Sequence, residues 1–136
     1  MADMFEKRLE NCHRNLNRVG LQVPTERHFI GWDAYQKLLA IPEINYVILA
    51  TPPHFRPTHL KAAIEAGKNV FMEKPAAVDV PGVKVVMEAG RLAQEKNLGI
   101  AAGTQRRHSP NYLETIRRIH DGEIGDIVFA KCYWNG

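Results

Sequence analysis

Three short apolar runs, each closed by a polar loop and separated by helical stretches, constrain the fold of this chain more than any other feature. They are Tyr46-Val47-Ile48-Leu49-Ala50, Asn69-Val70-Phe71-Met72 and Leu98-Gly99-Ile100-Ala101-Ala102. Each has the length of a strand, and its unbroken apolarity fits a strand covered on both faces, as in a parallel sheet. Between the first two lies a helix over 57–66, with Pro57 in its first turn and Gly67 just past its end. Over 81–96, Val83, Val86, Met87, Gly90 and Ala93 fall on one face of another helix. Alternation of this kind calls for right-handed crossovers and a parallel sheet, an α/β architecture.

The flanking segments extend the pattern. Phe5, Leu9, Cys12, Leu16 and Val19 recur at three- and four-residue steps, so residues 4–19 are expected to form an amphipathic helix stopped by Gly20. His28-Phe29-Ile30 is a brief strand candidate, and Asp33 can cap a helical turn carrying Tyr35, Leu38 and Leu39. Ser109-Pro110 opens a helix with Leu113, Ile116 and Ile119 on its inner face, and Asp121-Gly122 closes it. Ile127 to Trp134 is expected to be one more strand.

In an open α/β sheet, ligands bind beyond the carboxyl ends of the strands. That rule selects three loops. Thr51-Pro52-Pro53-His54 is stiffened by two prolines, which remove backbone donors and hold the chain extended. Such a rim can lie against a flat ligand while Thr51 and His54 offer hydrogen bonds; a rigid turn with a surface histidine is the plainer alternative. Glu73-Lys74-Pro75 places a cation with three donors at the mouth of an apolar cleft, suited to a substrate hydroxyl. Its plainer alternative is an exposed ion pair at a turn. Gly103-Thr104-Gln105-Arg106-Arg107-His108 can present donors to a polyhydroxy substrate or a pyrophosphate, or can be a solvated basic turn.

The formal net charge of +3 invites comparison with nucleic-acid-binding proteins. However, the 18 Lys and Arg are scattered among 15 acids, and no recognition motif accompanies them, so no nucleic-acid partner is expected. No apolar run nears the roughly 18 residues of a membrane span, and no membrane partner is expected. The start, Met1-Ala2-Asp3-Met4-Phe5, lacks the form of a signal peptide, and Cys12 and Cys132 form no closely spaced pair. A cytoplasmic location follows as the expectation. His13, His28, His59 and His120 show no metal-ligand spacing, and no metal site is expected.

Taken in order, these residues resemble the glucose–fructose oxidoreductase, inositol dehydrogenase and MocA (Gfo/Idh/MocA) family. The span 47–75, VILATPPHFRPTHLKAAIEAGKNVFMEKP, is similar to that family's fourth strand, crossover helix and fifth strand ending in its EKP motif. The span 102–127, AGTQRRHSPNYLETIRRIHDGEIGDI, is similar to its sixth strand, next helix and link to a second domain. The resemblance implies a partial Rossmann-type parallel sheet with flanking helices, over residues 1–126, followed by the first strand of a second α+β domain at 127–136.

It also implies hydride transfer between a nicotinamide and a hydroxyl carbon of a sugar or polyol. Thr51, Pro52 and His54 would lie along the cofactor, Glu73 near the nicotinamide ribose, and Gln105 and Arg106 in the cleft. Lys74 would be the catalytic contact to nicotinamide and substrate, with a cis peptide before Pro75. Asp3 would end the family's second strand and bond the adenosine ribose, favouring NAD over NADP. The full-length protein is expected to form a homo-oligomer.

The glycine-rich phosphate turn and its strand are missing from the sequence, as is the proton-transferring histidine of the second domain. The chain therefore reads as a fragment. In the strand order 3-2-1-4-5-6, loss of the first two strands would leave the fourth with an unpaired apolar edge. Two alternatives stand beside the dehydrogenase: a non-catalytic remnant or interaction module, and an NAD-dependent glycosidase, whose relatives tend to depart from EKP.

Overall fold

A computed structural model describes residues 1–134. It divides into two compact units, the first spanning Met1–Gly103 and the second beginning at Thr104. In the first unit, β1 (Ala2–Asp3), α1 (Glu6–Arg18), β2 (Phe29–Ile30) and α2 (Ala34–Leu39) precede β3 (Tyr46–Leu49), α3 (Arg56–Glu65), β4 (Asn69–Glu73), α4 (Val80–Glu95) and β5 (Ile100–Gly103). All strand pairs are parallel. β1 pairs with β2 over two residues, and β3, β4 and β5 form a separate sheet in sequence order.

The register aligns Leu49 with Met72, and Glu73 with Gly103, so the strands of the second sheet end side by side. At their other end one side chain ties all three. Asn69 donates to the Asn45 carbonyl at 3.1 Å and accepts from the Gly99 amide at 2.8 Å.

The core lies where α3 and α4 pack on one face of this sheet. Leu60, Ala63 and Ile64 of α3 and Ala89 and Ala93 of α4 enclose Val47, Leu49, Val70 and Met72. Gly82 permits the approach of the two helices, because a β-carbon there would meet the Pro57 side chain at 3.1 Å. The end of α3 is closed by Gly67 at φ +74 and by Lys96, which donates to the Ile64 and Glu65 carbonyls. Buried Lys68 likewise finds a carbonyl, that of Ile41, at 2.9 Å.

Several expectations need correction. The strand at 46–49 is covered on one face only: Val47 and Leu49 are buried, while Tyr46 and Ile48 are exposed. Apolar continuity had implied two covered faces, but no helix of the first unit packs on the second. On α4 the buried residues are Ala89 and Ala93; Val83 and Met87 are exposed, because small side chains let the helix sit close to α3. The Asp33 carbonyl accepts from the Gln36 and Lys37 amides of α2, but its side chain caps no amide and pairs instead with Lys37 at 2.8 Å. Ala2–Asp3 forms a two-residue parallel strand against Phe29–Ile30, apart from the sheet of β3, β4 and β5.

The second unit holds α5 (Pro110–His120). It is amphipathic, yet none of its residues is buried, and Leu113 and Ile116 are exposed rather than forming an inner face. Ser109 leads into it without a side-chain cap, its hydroxyl donating instead to the Asn111 side chain. Residues 127–134 form no strand, because a strand needs a ladder partner and they have none; Val128 is 94% exposed. The last two residues of the expected 127–136 segment lie outside the described residues. Among the described residues no helix is long and apolar enough to cross a membrane.

Candidate functional site

Asp3, Thr51, Glu73 and Gly103 each stand at or just beyond the carboxyl end of a strand, the position that selected the loops in the sequence. At Asp3, one carboxylate oxygen accepts the Phe5 amide at 2.8 Å. That bond fixes the carboxylate at the start of α1 and leaves its other oxygen for a hydroxyl donor.

Beyond β3, Pro52 and Pro53 accept from the Phe55 and Arg56 amides and lead the chain directly into α3. The Thr51 hydroxyl shares a 3.1 Å hydrogen bond with Nδ1 of His59, one helical turn into α3. His59 is half-buried, and burial lowers its pKa below the ordinary imidazole value. Its ring lies against Tyr35, centroids 4.3 Å apart. Phe55 contacts the rings of His54 and Trp32, so an aromatic cluster joins the loops after β2 and β3. Lack of metal-ligand spacing had left His59 as a structural or surface residue; its bond to Thr51 depends on a strand-to-helix turn that sequence spacing does not encode.

The loop after β4 carries the densest set of constraints. The Glu73 carboxylate packs over the α-carbon of Gly103, in register across the β4–β5 ladder. Lys74 is exposed and is joined to Pro75 by a cis peptide bond, as the resemblance implied. Behind the loop lies Arg56, only 5% exposed, whose Nη1 donates to the carbonyls of Glu73 at 2.8 Å and Pro75 at 2.5 Å. Arg56 was not among the residues singled out from the sequence. A charged residue at a helix start ordinarily reads as solvated, and only the fold turns it inward.

Gln105 and Arg106 belong to the second unit, in a 3-10 turn at Gln105–His108. The Arg106 guanidinium bonds the Tyr112 hydroxyl and lies 4.8 Å from the Trp134 ring centroid, a cation–π contact. An open depression of about 540 Å³ lies between α1 and β2, lined in part by Glu10, His13 and His28. None of Asp3, Thr51, Glu73 and Gly103 lines it. Among the described residues no group of side chains could hold a metal ion.

Two parallel sheets flanked by helices, with polar residues at the carboxyl ends of their strands, define an α/β protein whose ligand-facing edge lies at those ends. The family model described as "Oxidoreductase family, NAD-binding Rossmann fold" (GFO_IDH_MocA) matches residues 7–103. The chain belongs to this Gfo/Idh/MocA family of NAD-binding oxidoreductases. It is 33% identical over 114 residues to scyllo-inositol 2-dehydrogenase (NAD(+)) of Bacillus subtilis, covering 82% of this chain and 32% of that protein. Inositol 2-dehydrogenase 1 of Saccharopolyspora erythraea is 36% identical over 90 residues, 65% of this chain and 26% of the relative. The chain thus spans about a third or less of the length of these curated relatives.

Among solved structures, myo-inositol 2-dehydrogenase of Lactobacillus plantarum superposes with a TM-score of 0.73 at 23% identity, covering 93% of this chain and 34% of that one. Scyllo-inositol dehydrogenase of Lactobacillus casei, solved with NAD(H) and scyllo-inositol bound, gives 0.70 at 21% identity, with 92% and 33% covered. These two likenesses establish the fold.

Proposed function

We propose that this chain supplies the central part of the cofactor site of an NAD-dependent dehydrogenase acting on a hydroxyl carbon of a sugar or cyclitol. The observation that carries the reading is the loop after β4. There an exposed lysine follows a glutamate seated on Gly103, at the end of a buried strand. The names of the relatives, several of them inositol dehydrogenases, support a polyol substrate.

The residues present suit the dinucleotide. Asp3 keeps one carboxylate oxygen for an adenosine ribose hydroxyl and would repel a 2′-phosphate, which favours NAD over NADP. Thr51, Pro52 and His54 form a stiff rim for the dinucleotide, and Glu73 accepts from the nicotinamide ribose. Bound NAD supplies the hydride acceptor. Lys74 donates to the substrate hydroxyl oxygen and orients the carbinol carbon, while a histidine of the second domain takes the proton. Gln105 and Arg106 are assigned to cofactor binding from their place in the family pattern that follows β5. Residues 1–126 are assigned to the cofactor domain and 127–136 to the start of the next. The complete protein is read as a cytoplasmic homo-oligomer, a location compatible with two exposed free cysteines.

Titration calorimetry of the chain with NADH and NADPH tests the reading, with Lys74→Ala and Asp3→Ala as variants. Binding of NADH in preference to NADPH, weakened by either substitution, is the expected outcome. The reading fails if a longer chain restoring the glycine-rich unit also ignores both nucleotides.

One observation favours a second reading, a non-catalytic interaction module. β3 has a free edge and an open apolar face, with Ile48 67% exposed. Self-association that persists while NADH has no effect on melting would support it.

A further inference from the structure

Arg56 is a buried charge whose compensation comes only from uncharged groups. Among the described residues no carboxylate forms an ion pair with it, and its Nε is buried without a hydrogen-bond partner. Guanidinium remains protonated at every working pH, so burying it is unfavourable unless its geometry serves some end. For packing alone, an apolar side chain of similar volume would serve as well or better. What the guanidinium does is specific: a single nitrogen, Nη1, bonds the carbonyls of Glu73 and Pro75. Those two carbonyls bracket Lys74, whose own side chain is exposed.

We propose that Arg56 is a positioning residue that fixes the backbone on both sides of Lys74 and so sets the direction in which the lysine leaves the sheet. The placement of Arg56 supports this. It opens α3 immediately before Pro57, at a helix start anchored by the buried Leu60 and Ile64. The guanidinium therefore couples the loop after β4 to fully buried residues of the core. A lysine with four flexible bonds can be aimed only through its backbone, and no side-chain partner of Lys74 is present among the described residues. The inference rests on Lys74 working in the proposed site, but the clamp itself can be measured without a nucleotide.

The test compares Arg56→Met, which keeps length and volume without donors, with Arg56→Lys, which keeps the charge but not the planar fork. Amide hydrogen exchange is followed at Lys74, Ala76 and Ala77, with Val70 and Leu60 as core references. Arg56→Met is expected to speed exchange in the loop by at least about tenfold, a difference expected for one or two lost hydrogen bonds. The core amides should keep their rates, and Arg56→Lys should fall between. Unchanged loop exchange in Arg56→Met, or equal acceleration in loop and core, would overturn the proposal. If Arg56→Met does not fold, Arg56→Gln, too short to hold both carbonyls, decides it, since wild-type loop rates there would show the two bonds to be dispensable. NADH titration of the same proteins separates the two ideas. No binding by wild type counts against the cofactor site and leaves the exchange result standing. Where wild type binds, equal affinity in all three proteins would sink the positioning role.

Discussion

The Glu73 carboxylate rests on Gly103 so closely that a β-carbon at position 103 would lie 2.7 Å from its Oε2. Position 103 therefore sets where the carboxylate can sit. The clashing atoms are the far end of a flexible side chain, which can swing away at little cost. Gly103→Ala is accordingly expected to change stability by about 1 kcal/mol or less, within the ordinary range of single substitutions. NADH affinity should fall by a larger factor, because Glu73 is displaced from its seat. Denaturant melts set beside calorimetric titration decide it: a fully unfolded variant, or one with unaltered affinity, contradicts the relation.

His59 makes a prediction about pH. Burial lowers its folded pKa, so the folded chain holds it neutral where the unfolded chain binds a proton. Its contribution to stability is complete above the ordinary imidazole value and is lost as pH falls below that value toward the folded pKa. His59→Asn can retain a bond to Thr51 and cannot titrate. Melting temperatures measured from pH 8 to pH 5 should fall less steeply on the acid side in this variant than in the wild type. Parallel curves would assign the acid sensitivity to other groups.

Leu60 is fully buried between α3 and the sheet. Leu60→Ala removes its contacts and leaves a cavity, an expected loss of about 2–5 kcal/mol. Lys74→Ala, at an exposed position, should stay within about 0.5 kcal/mol of wild type. Urea unfolding of the two variants side by side distinguishes a framework residue from an exposed one.

Asp79 caps α4 by accepting the Gly82 amide at 2.7 Å. Replacement by alanine is expected to cost about 0.5–2 kcal/mol. Asp79→Asn, which retains an acceptor oxygen, should recover most of the loss in thermal melts; equal loss in both would show that charge, not capping, matters.

Asp3 bears on cofactor choice. If its free oxygen meets a ribose hydroxyl, Asp3→Ala should narrow the preference for NADH over NADPH on the order of tenfold, equivalent to about 1.4 kcal/mol. A ratio of affinities unaffected by the substitution would remove Asp3 from the site.

Much of the fold was legible because it follows from local rules. Continuous apolar runs, period-3.6 apolar spacing, Pro57 inside one helix start and Gly67 past its end placed β3, α3, β4, α4 and β5 within a few residues of where they lie. The EKP loop was legible for a related reason: a strand too apolar for the surface had to end in polar residues at a ligand-facing position.

Other features depended on contacts between segments distant in sequence. The unbroken apolar run at Val47 and Ile48 implied cover on both faces, but which face meets α3 and α4, and that the other stays open, depends on how many layers assemble. The inward turn of Arg56 belongs to the same class. Nothing adjacent in the chain distinguishes it from a solvated helix-start arginine; its partners are carbonyls 17 and 19 residues away. The sequence by itself determined the order of elements from α1 to α5, the polar loops at the strand ends and the family, since these rest on local spacing and motif. Only the tertiary structure decided that Glu73 seats on Gly103, that His59 reaches Thr51 and that a buried guanidinium brackets Lys74. Each of those needs two segments brought together in one register, and that register is set by packing across the whole sheet.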